Sequence, residues 1–255
     1  MTTKELTNFL MEELKVHDFD NVDGSLNGIQ LDNNKCEVKK VAFAVDGCMA
    51  TIEKAIEEKA QLLFVHHGLF WGRPLAIEGA HYKRVKTLLD NDLALFACHL
   101  PLDCHEEYGH SLCMAKKLGL KDIEPFFLYK GKYAGVKGIL EKGLKNDEIC
   151  EKLNINYKVG YETKKIISGR KDINYTIGIV SGDGSHDYDV AIKEGLDAYI
   201  TGEGSQNCFY EAMEKGLNVL CLGHYETETF GLKAVMKKVE ANGLSTVFID
   251  IPTCF

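Results

Sequence analysis

The sequence has no C-x-x-C pair, no excess of positive charge and no run approaching the ~18 apolar residues of a membrane span. Each absence excludes something. Nine cysteines at irregular positions (36, 48, 98, 104, 113, 150, 208, 221 and 254) read as reduced thiols rather than a disulfide framework. A net charge of -8 argues against binding duplex nucleic acid, because that affinity rests mainly on Lys and Arg neutralising phosphates. The first residues, Met1-Thr-Thr-Lys-Glu-Leu-Thr-Asn-Phe, show no basic segment followed by an apolar stretch, so a cytoplasmic protein without membrane association is expected. Glycines 178, 182 and 184 lack the spacing of a dinucleotide fingerprint. The phrase Ser181-Gly-Asp-Gly-Ser reads instead as a turn and helix cap, although its backbone N–H groups could hold a phosphate.

What is present is an alternation of short apolar runs with helical patterns. Leu6, Phe9, Leu10 and Leu14 recur at helical spacing behind a capping Thr2 or Thr3. Strands are expected at 38–45, 61–65 and 93–98, with helices at 49–59 and 82–91 between them and another at 108–118. Such alternation predicts an α/β fold with a parallel sheet covered on both faces. Pro125 and the Gly-Lys-rich stretch 130–145 interrupt the pattern. It then restarts, with strands at 175–180, 198–201 and 218–222 and helices at 187–194, 205–215 and 226–242. The chain thus divides into a first half, 1–124, and a second half, 125–255.

The restart reads as an internal duplication. A shift of 136 positions lays Ala55-Ile56-x-Glu58 on Ala191-Ile192-x-Glu194 and His66-His67-Gly68 on Gly202-Glu203-Gly204. A shift of 125 lays His99 on His224 and Asp103 on Glu228, and the extra residues of the first half are Phe70 to Ala80.

Histidines cluster where strands end. His66 and His67 close the run Leu62-Leu63-Phe64-Val65, and His99-x-x-x-Asp103 and His224-x-x-x-Glu228 follow two further strands. In open α/β sheets the carboxyl ends of strands are where binding loops converge. Imidazole and carboxylate together suit zinc, iron, manganese or cobalt. His224 and Glu228, four apart at a helix start, share one face, and Gly68 is expected to supply the turn that lets both histidines before it face one site. The five candidate ligands His66, His67, Asp103, His224 and Glu228 exceed the three or so protein ligands of one open catalytic zinc. Two divalent ions accommodate them better, and a pair of ions serves hydrolysis. His99 is expected as a sixth ligand or an acid–base group. His17, His81, His105, His110 and His186 are read as solvated. Cys98 and Cys221 are read as small hydrophobes, and Cys104, lacking a companion base in the sequence, as a structural thiol.

The segments Asn27-Gly28-Ile29-Gln30, Asp46-Gly47, His66-His67-Gly68-Leu69-Phe70-Trp71, Thr201-Gly202-Glu203 and Gly223-His224-Tyr225-x-Thr227-Glu228 resemble the family of GTP cyclohydrolase I type 2 homologues, or NIF-three-like proteins. The resemblance runs from about residue 5 to residue 250. It implies two similar, intertwined α/β/α three-layer domains, a dinuclear metal centre and assembly as a toroidal homohexamer with sites facing an internal cavity. Transferred position by position, the ligands it implies are His66, His67, Asp103, His224 and Glu228.

This chain departs from the family pattern twice. It reads His99-Leu100-Pro101-Leu102-Asp103 where the family often has His-Thr before the acid, and Gly202-Glu203-Gly204-Ser205-Gln206-Asn207 where the family commonly has Gly-Asp/Glu-x-x-His-His. It also matches the short form, without the inserted domain of longer relatives. The function expected is metal-dependent hydrolysis of a small nucleotide-like substrate. The family-derived candidate is opening of GTP to dihydroneopterin triphosphate and formate, with Glu203 or His99 moving protons. The alternatives are a metal-handling or regulatory scaffold without turnover, and protein recognition through Phe70 and Trp71, whose simpler reading is packing at a subunit interface.

Overall fold

A computed structural model describes residues 1–34, 37–155, 165–169 and 171–253. These form two compact units, Met1–His105 with Leu232–Ile251, and Glu106–Gly231 with Pro252 onward.

The first unit opens with helix α1 (Thr3–Glu13), started by a reciprocal cap in which the Thr2 hydroxyl accepts from Glu5 N–H and the Glu5 carboxylate accepts from Thr2 N–H. Strand β1 (Gly28–Leu31), strand β2 (Lys40–Asp46), helix α2 (Met49–Glu57), strand β3 (Leu62–His67), helix α3 (Gly79–Asp90), strand β4 (Ala94–Ala97) and the one-turn helix α4 (Leu100–Asp103) follow. Strands β2, β3 and β4 are parallel, and β1 runs antiparallel at the edge beside β4. Ala42, Ala44, Leu63, Val65, Leu95 and Ala97 form one buried cluster with Ile52 and Ala55 of α2 and Val85 and Leu88 of α3. By the pleat, Phe43, Phe64 and Phe96 point to the opposite face; they stack at 5.0 and 5.2 Å and are fully buried, so that face is covered too.

The second unit contains helix α5 (His110–Leu118), the hairpin of strands β5 (Lys121–Tyr129) and β6 (Lys132–Leu144), helix α6 (Asn146–Leu153), strand β7 (Lys165–Ile167), strand β8 (Asn174–Val180), helix α7 (Tyr188–Lys193), strand β9 (Ala198–Thr201), helix α8 (Gln206–Lys215), strand β10 (Asn218–Cys221) and the one-turn helix α9 (His224–Thr227). Strands β8, β9 and β10 are parallel; β7, β6 and β5 are antiparallel additions, in the order β5-β6-β8-β9-β10-β7. The stretch 130–145, read from the sequence as an interruption, is therefore mostly strand. Its lysines and glycines suit an edge hairpin with one solvated face.

The chain then enters helix α10 (Thr229–Ala241) and returns to the first unit, where strand β11 (Ser245–Phe248) adds parallel to β2. Lys238 of α10 pairs with Glu13 at the end of α1 at 2.9 Å. Among the described residues no helix is long and apolar enough to cross a membrane.

The fold is mixed α/β with two sheets; the strands expected from the alternation run parallel, and β1, β5, β6 and β7 are antiparallel additions to them. Strand register tests the duplication directly. Val41 pairs with Leu62 in the first sheet and Ile177 with Ala198 in the second, so β2 and β3 match β8 and β9 at the shift of 136. Leu62 pairs with Ala94 and Ala198 with Asn218, which puts β4 on β10 at a shift of 124. The sequence shift of 125 is one residue out at this point. Position for position His99 meets Gly223, and both precede the first residue of a one-turn helix.

Candidate metal-binding site

In the first unit the sheet delivers three imidazoles to one place. His66 and His67 end β3, and His99 follows β4 immediately before α4. One nitrogen from each of the three lies within 4.8 Å of those from the other two. Each ring has its Nδ1 on an oxygen acceptor: His66 donates to the Cys98 carbonyl at 2.9 Å, His67 to Asp46 Oδ1 at 2.8 Å, and His99 to Asp23 Oδ1 at 2.9 Å. A proton fixed on Nδ1 leaves the Nε2 lone pair of a neutral ring as the coordinating atom, which is how orienting partners prepare histidine ligands. His66 Nε2 lies 3.5 Å from Asp103 Oδ2, so the first carboxylate of the proposed set stands with the imidazoles.

Asp23 ties this group to the loop before β1. Its carboxylate also accepts from Asn27 Nδ2 at 2.8 Å and Leu100 N–H at 2.9 Å, while Asn27 Oδ1 accepts from His99 N–H at 2.7 Å. Burial works against the Asp23 charge, but hydrogen bonding and the charge of His99, with help from Asn27 and Ser25 N–H, hold its carboxyl well below the usual range. Gly68 serves close packing, not a left-handed turn. A Cβ there would lie 2.3 Å from the Gln30 amide, whose oxygen accepts from Leu69 N–H at 2.7 Å.

The second unit carries its own donor group. His224 Nδ1 donates to Glu203 Oε1 at 2.5 Å and Nε2 lies 3.0 Å from Glu228 Oε1. Burial pushes the His224 imidazole down, yet the hydrogen bond and charge of Glu228, with those of Glu203, outweigh it and carry its pKa to about 10. Without a metal the ring is therefore a cation between two acids. Glu203, expected to move protons, sits on the far nitrogen of a candidate ligand. Gly182 makes room for this arrangement: at φ +65°, a Cβ on it would lie 2.4 Å from Glu228 Oε1 and 3.2 Å from His224 Nε2. Thr227 anchors the same turn, accepting from Gly182 N–H at 3.0 Å and donating to the Gly223 carbonyl at 2.9 Å.

Other histidines depart from expectation. His110 is fully buried, its Nδ1 accepting from Gly231 N–H at 3.0 Å, and His105 is buried and donates to the Glu13 carbonyl at 2.9 Å. His81 is half-buried edge-on against Phe70. Helix starts looked solvated in sequence, but these lie under packed elements. His17 and His186 are exposed as expected. Cys98 and Cys221 behave as buried hydrophobes, burial pushing the Cys221 thiol up to about 12. Asp23 and Gly182 were missed, since a lone acid in a polar loop and a glycine in a glycine-rich turn carry no distinctive signal.

Whether these donors suit a metal is answered by their chemistry. Imidazole and carboxylate at 3 to 3.5 Å, with the far nitrogens committed to oxygen, fit a borderline divalent cation.

A model of the Duf34/NIF3 (NGG1p interacting factor 3) family matches residues 1–254. The chain belongs to the Duf34/NIF3 family. Its relatives in the family include two proteins named GTP cyclohydrolase 1 type 2 homolog. The one from Archaeoglobus fulgidus is 39% identical over 99% of both chains. That from Deinococcus radiodurans is 38% identical over 98% of this chain and 93% of its own. The crystal structure of TTHA1606 from Thermus thermophilus superposes with a TM-score of 0.87 at 38% identity, covering all of both chains. Reduced HcgD from Methanocaldococcus jannaschii gives 0.81 at 28% identity over 98% of each.

Proposed function

We propose that this family member is a metal-dependent hydrolase of a small nucleotide-like molecule, and that His66, His67, Asp103, His224 and Glu228 hold two divalent ions per chain. The observation that carries the reading is the common state of the imidazoles. His66, His67, His99 and His224 each place Nδ1 on an oxygen acceptor, an arrangement that orients Nε2 for coordination. The relatives named GTP cyclohydrolase 1 type 2 homolog make GTP the first candidate, with release of formate.

Two ions bound there would acidify water and offset the negative charge of its attack. The protein's own groups supply the rest. Asp23 holds the His99 ring through Nδ1, so that His99 can pass a proton at Nε2 to a leaving group. Glu203 orients the His224 ring through Nδ1. Asp46 orients the His67 ring in the same way. Assembly as a homohexamer belongs to the same reading and is checked by light scattering.

The test is elemental analysis of reconstituted protein followed by a screen of nucleotides, phosphoesters and amides, with formate measured for GTP. Two ions per chain and turnover that His99→Ala abolishes without loss of metal support the reading. Two ions with no turnover across the screen would replace it with a metal-handling or regulatory scaffold. Fewer than one ion, or loading unchanged in a His66→Ala/His224→Ala double variant, would remove the metal assignment.

A further inference from the structure

The first unit contains a second feature of chemical interest beside His99. A cavity of about 490 Å³ lies between two loop segments, lined by Asp23, Ser25 and Leu26 on one side and by Trp71, Arg73 and Leu75 on the other. Its size falls within the ~300–1,000 Å³ of small-molecule sites. The walls are joined by backbone hydrogen bonds, from Leu26 N–H to the Phe70 carbonyl at 3.0 Å and from Gly72 N–H to the Gly24 carbonyl at 2.5 Å. The cavity is therefore preformed by pairing of the segments.

Three of its groups point to one kind of ligand. Trp71 offers a flat apolar surface whose orientation is already set: its Nε1 donates to the Gly68 carbonyl at 2.9 Å, and its ring packs edge-on against His99 at 5.0 Å. Arg73 is an exposed guanidinium that forms no ion pair with any carboxylate among the described residues, although the chain carries 38 acidic side chains against 30 basic ones. Ser25 is buried, and among the described residues its hydroxyl has no hydrogen-bond partner. A buried hydroxyl is ordinarily paired, and this one belongs to a residue lining a cavity.

The remaining charge in the lining is Asp23, which is committed to His99, Asn27 and Leu100. The lining thus presents one uncommitted cation, which suits one anionic group and not a chain of phosphates. An aromatic platform, one guanidinium and one free hydroxyl describe a flat ring bearing a single phosphate or carboxylate.

We propose that this cavity binds a planar aromatic molecule carrying one anionic group, with the ring on Trp71, the anion on Arg73 and a hydrogen bond to Ser25. The assignment rests on the cavity alone and does not require that the metal-binding residues hydrolyse anything.

Trp71 is the single tryptophan of the chain, so its fluorescence reports occupancy directly. Titration of the full chain with AMP, adenosine and inorganic phosphate separates the two parts of the ligand. AMP is expected to quench saturably, with adenosine and phosphate each binding at least roughly tenfold more weakly. Arg73→Gln, an exposed substitution that leaves the fold intact, is expected to abolish the advantage of AMP over adenosine. Ser25→Ala is expected to weaken both, and calorimetry on Trp71→Phe to show loss of ring affinity. No saturable response to AMP at millimolar concentration, or equal AMP affinity in Arg73→Gln, overturns the proposal. AMP binding by protein that hydrolyses none of the screened substrates keeps the pocket and removes the hydrolase. Hydrolysis with no AMP binding, unchanged in Arg73→Gln, does the reverse.

Discussion

The backbone of Gly182 lies against the carboxylate of Glu228 so closely that a Cβ on residue 182 would stand 2.4 Å from Glu228 Oε1. In the register shared by the two sheets, Gly182 occupies the position of Asp46, which in the first unit holds the His67 ring. One copy of the frame thus supplies an orienting acid and the other supplies space.

Gly182→Ala is accordingly expected to displace Glu228 and to strain a left-handed residue, costing about 1–3 kcal/mol of stability. Metal content should fall by about half, because only the donors of the second unit are disturbed. Elemental analysis beside a thermal melt checks both effects; full loading with an unchanged melting temperature would refute the link.

Asp23→Asn addresses the clamp on His99. The native carboxyl is depressed, so its contribution is in place above about pH 4 and is lost as pH falls through the lower native value. The substitution should cost about 1–3 kcal/mol at neutral pH, as expected for a disrupted buried hydrogen-bond network. Denaturation of metal-free protein should show the deficit shrinking below pH 4. A deficit constant across that range would assign the loss to packing and not to charge.

For His224 the sign is opposite. A pKa raised to about 10 means that the imidazolium stabilises the metal-free fold fully below about pH 6.5, and that this contribution fades as pH rises through 10. A metal must displace that proton, so affinity should rise with pH and binding should release a proton from this residue at pH 8. Calorimetry in two buffers of different ionisation enthalpy measures the release, and His224→Gln should reduce it.

Away from the candidate ligands, Asn218 is fully buried at the start of β10. Its Nδ2 donates to the Lys171 carbonyl at 2.9 Å and to Asn174 Oδ1 at 2.7 Å, and its Oδ1 accepts from Gly169 N–H at 2.7 Å. Asn218→Ala leaves these groups buried without their partner and should cost about 3 kcal/mol or more. Chemical denaturation gives the value, and metal content should stay unchanged.

The central strands were legible because their apolar runs are unbroken. Val41 to Val45, Leu62 to Val65 and Leu93 to Cys98 are buried on both sheet faces, and few other structures accept such runs. Strand β1 was not legible, since Gly28-Ile29-Gln30-Leu31 mixes polar and apolar residues at an edge. Nor was β11: Ser245 to Phe248 is only four residues long and follows a helix. The histidine at each strand end was readable from type and spacing. The one-residue discrepancy between the two His-x-x-x-acid segments was not, because it is defined by hydrogen-bonded register, which spacing along the chain does not contain.

The sequence by itself determined the alternation of buried strands and amphipathic helices, the repeat of that alternation, and a donor set of imidazole and carboxylate, because burial and ligand chemistry are properties of residue types. Only the tertiary structure decided which nitrogen each histidine presents, since that depends on where Asp23, Asp46, the Cys98 carbonyl and Glu203 arrive. It likewise decided that Gly182 is a place where a side chain would collide, that His105 and His110 are covered, and that Trp71, Arg73 and Ser25 line one cavity. These are outcomes of packing between segments far apart in the chain, and local pattern carries no record of them.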